Sequence, residues 1–70
     1  MNRIGEKLHR LRTQHGLTTR ELATNLGVAH SYIGHIETGQ RSPSAKLILK
    51  IARFFEVSID TLMKDELNLE

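Results

Sequence analysis

The side chains best suited to chemistry in this 70-residue chain are its four histidines, His9, His15, His30 and His35. An imidazole can bind a metal, move a proton or donate a hydrogen bond. A metal centre is not expected: His30 and His35 stand five apart and do not share a helix face, and neither has a cysteine or carboxylate at ligand spacing. His9 and His15 lie in another segment, where His15 joins an apolar stripe and suits a hydrogen-bonded boundary position. An enzyme is not expected either. The chain has no glycine-rich phosphate loop, no serine set up as a nucleophile and no pair of carboxylates in an apolar setting that would split their pKa values. A domain of this size leaves little room for a pocket of roughly 300 Å³ or more, so no cofactor is expected. What remains is hydrogen bonding to a partner. On a helical wheel His30, Ser31, Gly34, His35 and Thr38 fall opposite Ile33 and Ile36.

Those five residues need a scaffold, and Leu17 to Gly39 has the pattern of one. Leu22, Ala23 and Leu26 form one short apolar set, Val28, Ile33 and Ile36 a second, and Gly27 separates them. Two helices too short to be stable alone, joined by a three- or four-residue turn, make a helix-turn-helix. Thr18-Thr19-Arg20-Glu21 matches a capping box for the first of the two. Ala29 is a poor N-cap for the second, at a cost of about 1 kcal/mol relative to Ser or Thr.

The rest of the chain reads as three more helices. Asn2 can cap a first one, whose stripe is Ile4, Leu8, Leu11 and His15; Arg3, Lys7 and Arg10 fall outside it and Arg12 at its edge. Gly16 is placed as its stop, with Leu17 packing back. Gln40 to Ser44 forms a loop around Ser42-Pro43. Ser44 caps a helix with Leu47, Ile48, Ile51, Phe54 and Phe55 on one face and Leu49 pointing away. Ser58 caps a last helix carrying Ile59, Leu62 and Met63, with a tail over about 64–70. The expectation is one all-α domain over 1–70, with helices at about 3–15, 19–26, 30–38, 45–55 and 59–66 and the helix-turn-helix at about 18–38.

Seventy residues bury a small core, about 60% of the surface of the unfolded chain. The chain has no cysteine, which removes disulfides and the common structural zinc sites and fits a reducing compartment. No apolar run reaches the roughly 18–20 residues of a membrane span, and Met1-Asn2-Arg3 does not lead into a signal peptide. Lys64-Asp65-Glu66-Leu67 spells a retention signal that is read only at a C-terminus, so the match is taken as chance. The net charge of +2 hides an asymmetry. Residues 1–54 carry nine Lys/Arg against Glu6, Glu21 and Glu37, a balance of +6; residues 55–70 carry Lys64 against five carboxylates, a balance of −4. A basic body suggests an anionic partner. An ordinary solvated surface is the alternative that charge alone leaves open.

Several motifs in order carry a family resemblance: Ile4-Gly5-Glu6, Leu8, Leu11-Arg12, Gly16-Leu17-Thr18, Glu21-Leu22-Ala23, Leu26-Gly27-Val28, Ser31-Tyr32-Ile33, Ile36-Glu37, Gly39, Pro43-Ser44 and Val57-Ser58. This set, over about residues 3–63, resembles the phage-repressor and Cro type of helix-turn-helix domain, also called the xenobiotic-response-element type. The resemblance implies a compact five-helix domain like that of lambda repressor, binding double-stranded operator DNA as a symmetric homodimer. It also implies an ion pair, Arg12 with Glu37, tying helix 1 to helix 3.

In this motif the second helix enters the major groove and its first residues reach base edges. His30, Ser31, Gly34 and His35 are therefore the candidate base contacts. Gly34 admits two readings, a close approach of backbone to DNA or a position that reads nothing. Thr19, Tyr32, Thr38, Gln40, Arg41, Arg10 and Arg20 are candidate backbone contacts. Family members often carry Gln where this chain has the shorter Thr19. Tyr32 could meet a phosphate or pack its ring, and Arg10 and Arg20 could be a solvated helix face. Leu49, Leu62, Leu67 and Leu69 are candidates for the dimer surface. The expected function is a transcriptional regulator, a repressor in the first instance, in the cytoplasm of a bacterium or on a phage operator at the nucleoid. In related repressors acidic residues near helix 2 touch RNA polymerase; here Glu21 is needed in the cap. The alternative is an antitoxin-type module that neutralises a partner protein and represses its own operon. With no effector domain expected after residue 70, a ligand switch would act through a partner or through protein level.

Overall fold

The computed structural model describes residues 3–64, and among them it has five α-helices and no strand. They are α1 (Ile4–Gln14), α2 (Thr19–Leu26), α3 (His30–Glu37), α4 (Ala45–Phe55) and α5 (Ile59–Met63). α2 and α3 pack on each other; α1 lies across α3 and touches α5, and α4 bridges α2 and α5.

Local chemistry sets most boundaries. Thr18 accepts from the Glu21 amide at 3.0 Å while the Glu21 carboxylate accepts from the Thr18 amide at 2.9 Å, so the capping box is closed. Gly27 ends α2 in the left-handed region with φ 73°, which glycine adopts without strain. Ser44 and Ser58 accept from the Leu47 and Thr61 amides and start α4 and α5. Two ends differ from expectation. α1 begins after Arg3, which makes no side-chain cap, and Asn2 lies outside the described residues. α5 ends at Met63, with Lys64 extended (φ −88°, ψ 117°), and the rest of the expected continuation to about 66 lies outside the described residues.

The core joins all five helices. Leu8, Leu22, Ile33, Ile36, Ile51 and Leu62 are its largest fully enclosed side chains. Two features of α1 set how the helices meet. Gly5 lies against the end of α3: a Cβ on it would collide with the Ile36 carbonyl oxygen and stand 3.0 Å from that of Glu37. Lys7 was expected outside the apolar stripe, yet it is 2% exposed. Its ammonium donates to the Thr61 carbonyl and, at 2.7 Å, to the Lys64 carbonyl. The buried charge is thus matched to carbonyls that the end of α5 leaves without helical partners.

Leu62 corrects an expectation. It is fully buried in the core of its own chain and offers nothing to a second copy. Leu62 is the one buried residue of the five-residue α5 and anchors it to the core.

Candidate nucleic-acid interface

α3 carries two faces, as its sequence spacing requires. Ile33 and Ile36 are 0% and 1% exposed. His30, Ser31, His35 and Thr38 are exposed on the other side, with Gly34 half-buried among them. Ala29 precedes the helix in extended conformation and supplies no side-chain cap, so the amides of the first turn point outward without a side-chain acceptor. The Thr38 hydroxyl is turned back on its own helix, 3.1 Å from the Gly34 carbonyl and 3.3 Å from that of His35.

The loop after α3 is held by its own chain. The Gln40 and Arg41 amides both donate to the His35 carbonyl, at 2.8 and 3.1 Å, and both side chains are exposed. Tyr32 resolves in favour of packing. Its ring lies against the core and its hydroxyl donates to the Ser42 carbonyl at 3.3 Å and accepts from the Ser44 amide at 3.1 Å. Through these two bonds Tyr32 ties the loop after α3 to the start of α4. The Arg41 guanidinium stands 5.2 Å from the centre of that ring, within range of a cation–π attraction.

Thr19 is half-buried in the first turn of α2, and Arg20 and Arg10 are exposed. The capping box occupies the Thr18 and Glu21 amides; the Thr19 and Arg20 amides lie in the turn where a helix has no internal acceptor for them. The hydrogen bonds from Thr18 hold the Glu21 carboxyl below its ordinary pKa.

α3 is fixed to α1 at its last residue. Glu37 Oε2 accepts from Arg12 Nε at 2.7 Å, and Oε1 from Arg12 Nη2 at 3.0 Å. Arg12 Nη1 also donates to the Leu17 carbonyl at 2.8 Å, just ahead of α2. One guanidinium therefore links α1 to both helices of the motif. His9 joins them, with Nδ1 2.9 Å from Glu37 Oε1 and 3.2 Å from Arg12 Nη2. Burial works to raise the Glu37 pKa, but the hydrogen bonds from Arg12 and His9 outweigh it and the carboxyl is held below its ordinary value. The same bond to Glu37 raises Arg12.

Reasoning from sequence missed His9, Lys7 and Gly5. Lys7 had a signal: it stands three after Ile4 and four before Leu11, on the stripe. His9 lies one turn before Arg12, close enough to share a partner. His15 sits at the boundary, its Nδ1 2.8 Å from the Leu11 carbonyl and its ring 4.8 Å from that of Phe55. Among the described residues no group of three His, Asp or Glu could hold a metal. Open surface clefts of about 360 Å³ beside Arg3, His9 and Arg10, and about 440 Å³ beside Lys50 and Phe54, are larger than the chain length suggested. Leu49 is 39% exposed, alongside Phe54, Ile59 and Met63. Leu67 and Leu69 lie outside the described residues.

Comparison with known proteins gives one family. A helix-turn-helix family model matches residues 8–62. An uncharacterised HTH-type transcriptional regulator of Methanocaldococcus jannaschii is 46% identical over 56 residues, covering 80% of this chain and 85% of that protein. The HTH-type transcriptional regulator SinR of Bacillus subtilis is 34% identical over 64 residues; the match takes in 90% of this chain and 58% of SinR. The N-terminal DNA-binding domain of SinR superposes with a TM-score of 0.84 at 31% identity, over 94% of this chain and 97% of that one. SinR in its complex with SinI gives a TM-score of 0.82 at 33% identity, over 90% of this chain and 62% of that one. The restriction-modification controller protein C.AhdI of Aeromonas hydrophila gives 0.79 at 37% identity, over 89% and 94%.

Proposed function

Since the chain belongs to the helix-turn-helix family of transcriptional regulators, in its xenobiotic-response-element branch, we propose that it binds a specific double-stranded DNA operator and represses transcription from it. The observation that carries this reading is the outer face of α3, where His30, Ser31 and His35 stand exposed above a fully buried Ile33. An imidazole donates to guanine N7 or O6, and a serine hydroxyl serves several base edges. Gly34 lets the backbone come close between them. On this reading Arg41, Gln40, Arg10, Arg20 and the amides around Thr19 hold phosphates, which fix register without reading sequence. Thr38 contributes through the helix end that it caps.

One helix in one groove reads a short site, so the reading includes a homodimer on half-sites about 34–36 Å apart. On this reading Leu49, exposed on α4, belongs to its surface. The protein then acts in the cytoplasm, on the nucleoid or a phage operator; no helix among the described residues is long and apolar enough to cross a membrane.

The test is a duplex-binding titration across a salt series. Log affinity should fall linearly with log salt, with a slope of about −0.9 for each phosphate neutralised. Binding that held constant as salt rose would overturn the reading. A second reading is supported by the exposed Leu49, Phe54, Ile59 and Met63, and by the solved complex of the relative SinR with SinI. On it, the chain is an antitoxin-type module that grips a partner protein and represses its own operon. Cellular function that survived His30→Ala with Ser31→Ala would favour this second reading.

A further inference from the structure

Four of the five glycines have a reason within the fold. Gly5 lets α1 meet α3, and Gly16, Gly27 and Gly39 adopt positive φ at helix ends. Gly34 has neither reason. It lies inside α3, and a Cβ built on it meets nothing within 4 Å. Alanine fits there, and it would raise the melting temperature by about 4–8 °C, because glycine is a poor residue in a helix interior. The gap it leaves is at the middle of the outward face, one turn after His30 and one turn before Thr38.

The chemistry of the gap is specific. The Gly34 carbonyl already accepts from the Thr38 amide and the Thr38 hydroxyl, each at 3.1 Å. Its own N–H belongs to the helix ladder. The surface at Gly34 is therefore a bare Cα with no free donor or acceptor, flanked by groups that have both. Base edges in the major groove carry one apolar feature, the C5-methyl of thymine.

We propose that Gly34 is a specificity-determining position that seats a thymine C5-methyl against the bare helix, between bases hydrogen-bonded by His30, Ser31 and His35. This rests on the DNA-binding reading above and adds the identity of one base to it.

The test starts with selection of binding sites from random duplexes by the whole protein. Each thymine of the selected site is then replaced by deoxyuridine, which lacks only the methyl group. At one thymine position of the half-site, a single replacement should weaken binding about fourfold, the loss expected for one buried methyl. Gly34→Ala should melt higher, prefer a different base pair at that position and no longer respond to the deoxyuridine. If every deoxyuridine replacement leaves wild-type affinity unchanged, the proposal is wrong while the DNA-binding reading stands. It also falls if Gly34→Ala keeps both the selected site and the deoxyuridine penalty, or if that variant melts lower. Failure to select any sequence would remove the DNA-binding reading itself.

Discussion

Glu37 shows how one carboxylate sets the position of a helix. It is the last residue of α3, and its two oxygens are held by Arg12 and His9. Removing one member leaves the other charge nearly enclosed and unmatched, which is more damaging than removing both. Because the folded-state pKa lies below the ordinary carboxylate value, the stability Glu37 contributes is complete above about pH 4.3, the unfolded range. It is lost as pH falls through the lower folded value. Urea unfolding at neutral pH and near pH 3 should therefore show an acid loss that Glu37→Gln reduces. At neutral pH that variant should be less stable by about 2 kcal/mol, and the double variant with Arg12→Met should lose less than the two single losses summed. The resemblance named the Arg12 partner of Glu37 from sequence. It did not name His9, because a third member at this position needs the crossing angle of α1 over α3, which residue spacing does not encode.

Among the elements, α2 and α3 were legible because their ends are set by neighbouring residues: a Thr–Glu box, a left-handed glycine, two isoleucines three apart. The limits of α1 and α5 depend on one another instead. The spacing of Lys7 from Ile4 and Leu11 hints at its burial, but what makes a buried ammonium tolerable, the Thr61 and Lys64 carbonyls, comes from α5. Leu62 reads as a surface leucine until α1 and α4 enclose it. Gly5 reads as a weak point in a helix, when it is the contact that lets α1 reach α3. Gly5→Ala should therefore destabilise the domain, by about 3 kcal/mol, although alanine favours helix. Thermal unfolding compared with Gly34→Ala checks this directly: the same substitution in two helices should shift the midpoint in opposite directions.

For the whole molecule, the split between a basic body and an acidic end was visible in composition, and the described residues put the exposed Arg10 on α1, Arg20 on α2 and Arg41 in the loop after α3. The pairing surface was less legible, since an inward and an outward leucine look alike in a five-residue helix. Leu49 and Leu62 now separate. Leu49→Arg should leave the melting temperature of dilute protein near its wild-type value, while sedimentation shows a shift toward monomer and operator affinity drops at least tenfold. Leu62→Ala should cost about 2–5 kcal/mol of stability, with any loss of DNA binding following from unfolding. Equal effects of both on stability would contradict the assignment.

The bond from Lys7 to the Lys64 carbonyl spans 57 positions of the chain. During synthesis the amine emerges from the ribosome long before its acceptors do. Until α5 appears, α1 can enclose Lys7 only by stranding a cation, so it must keep that face wet. A chain that ends before Ser58 lacks both carbonyls and the buried Leu62, so this face of α1 has neither its polar nor its apolar partner from α5.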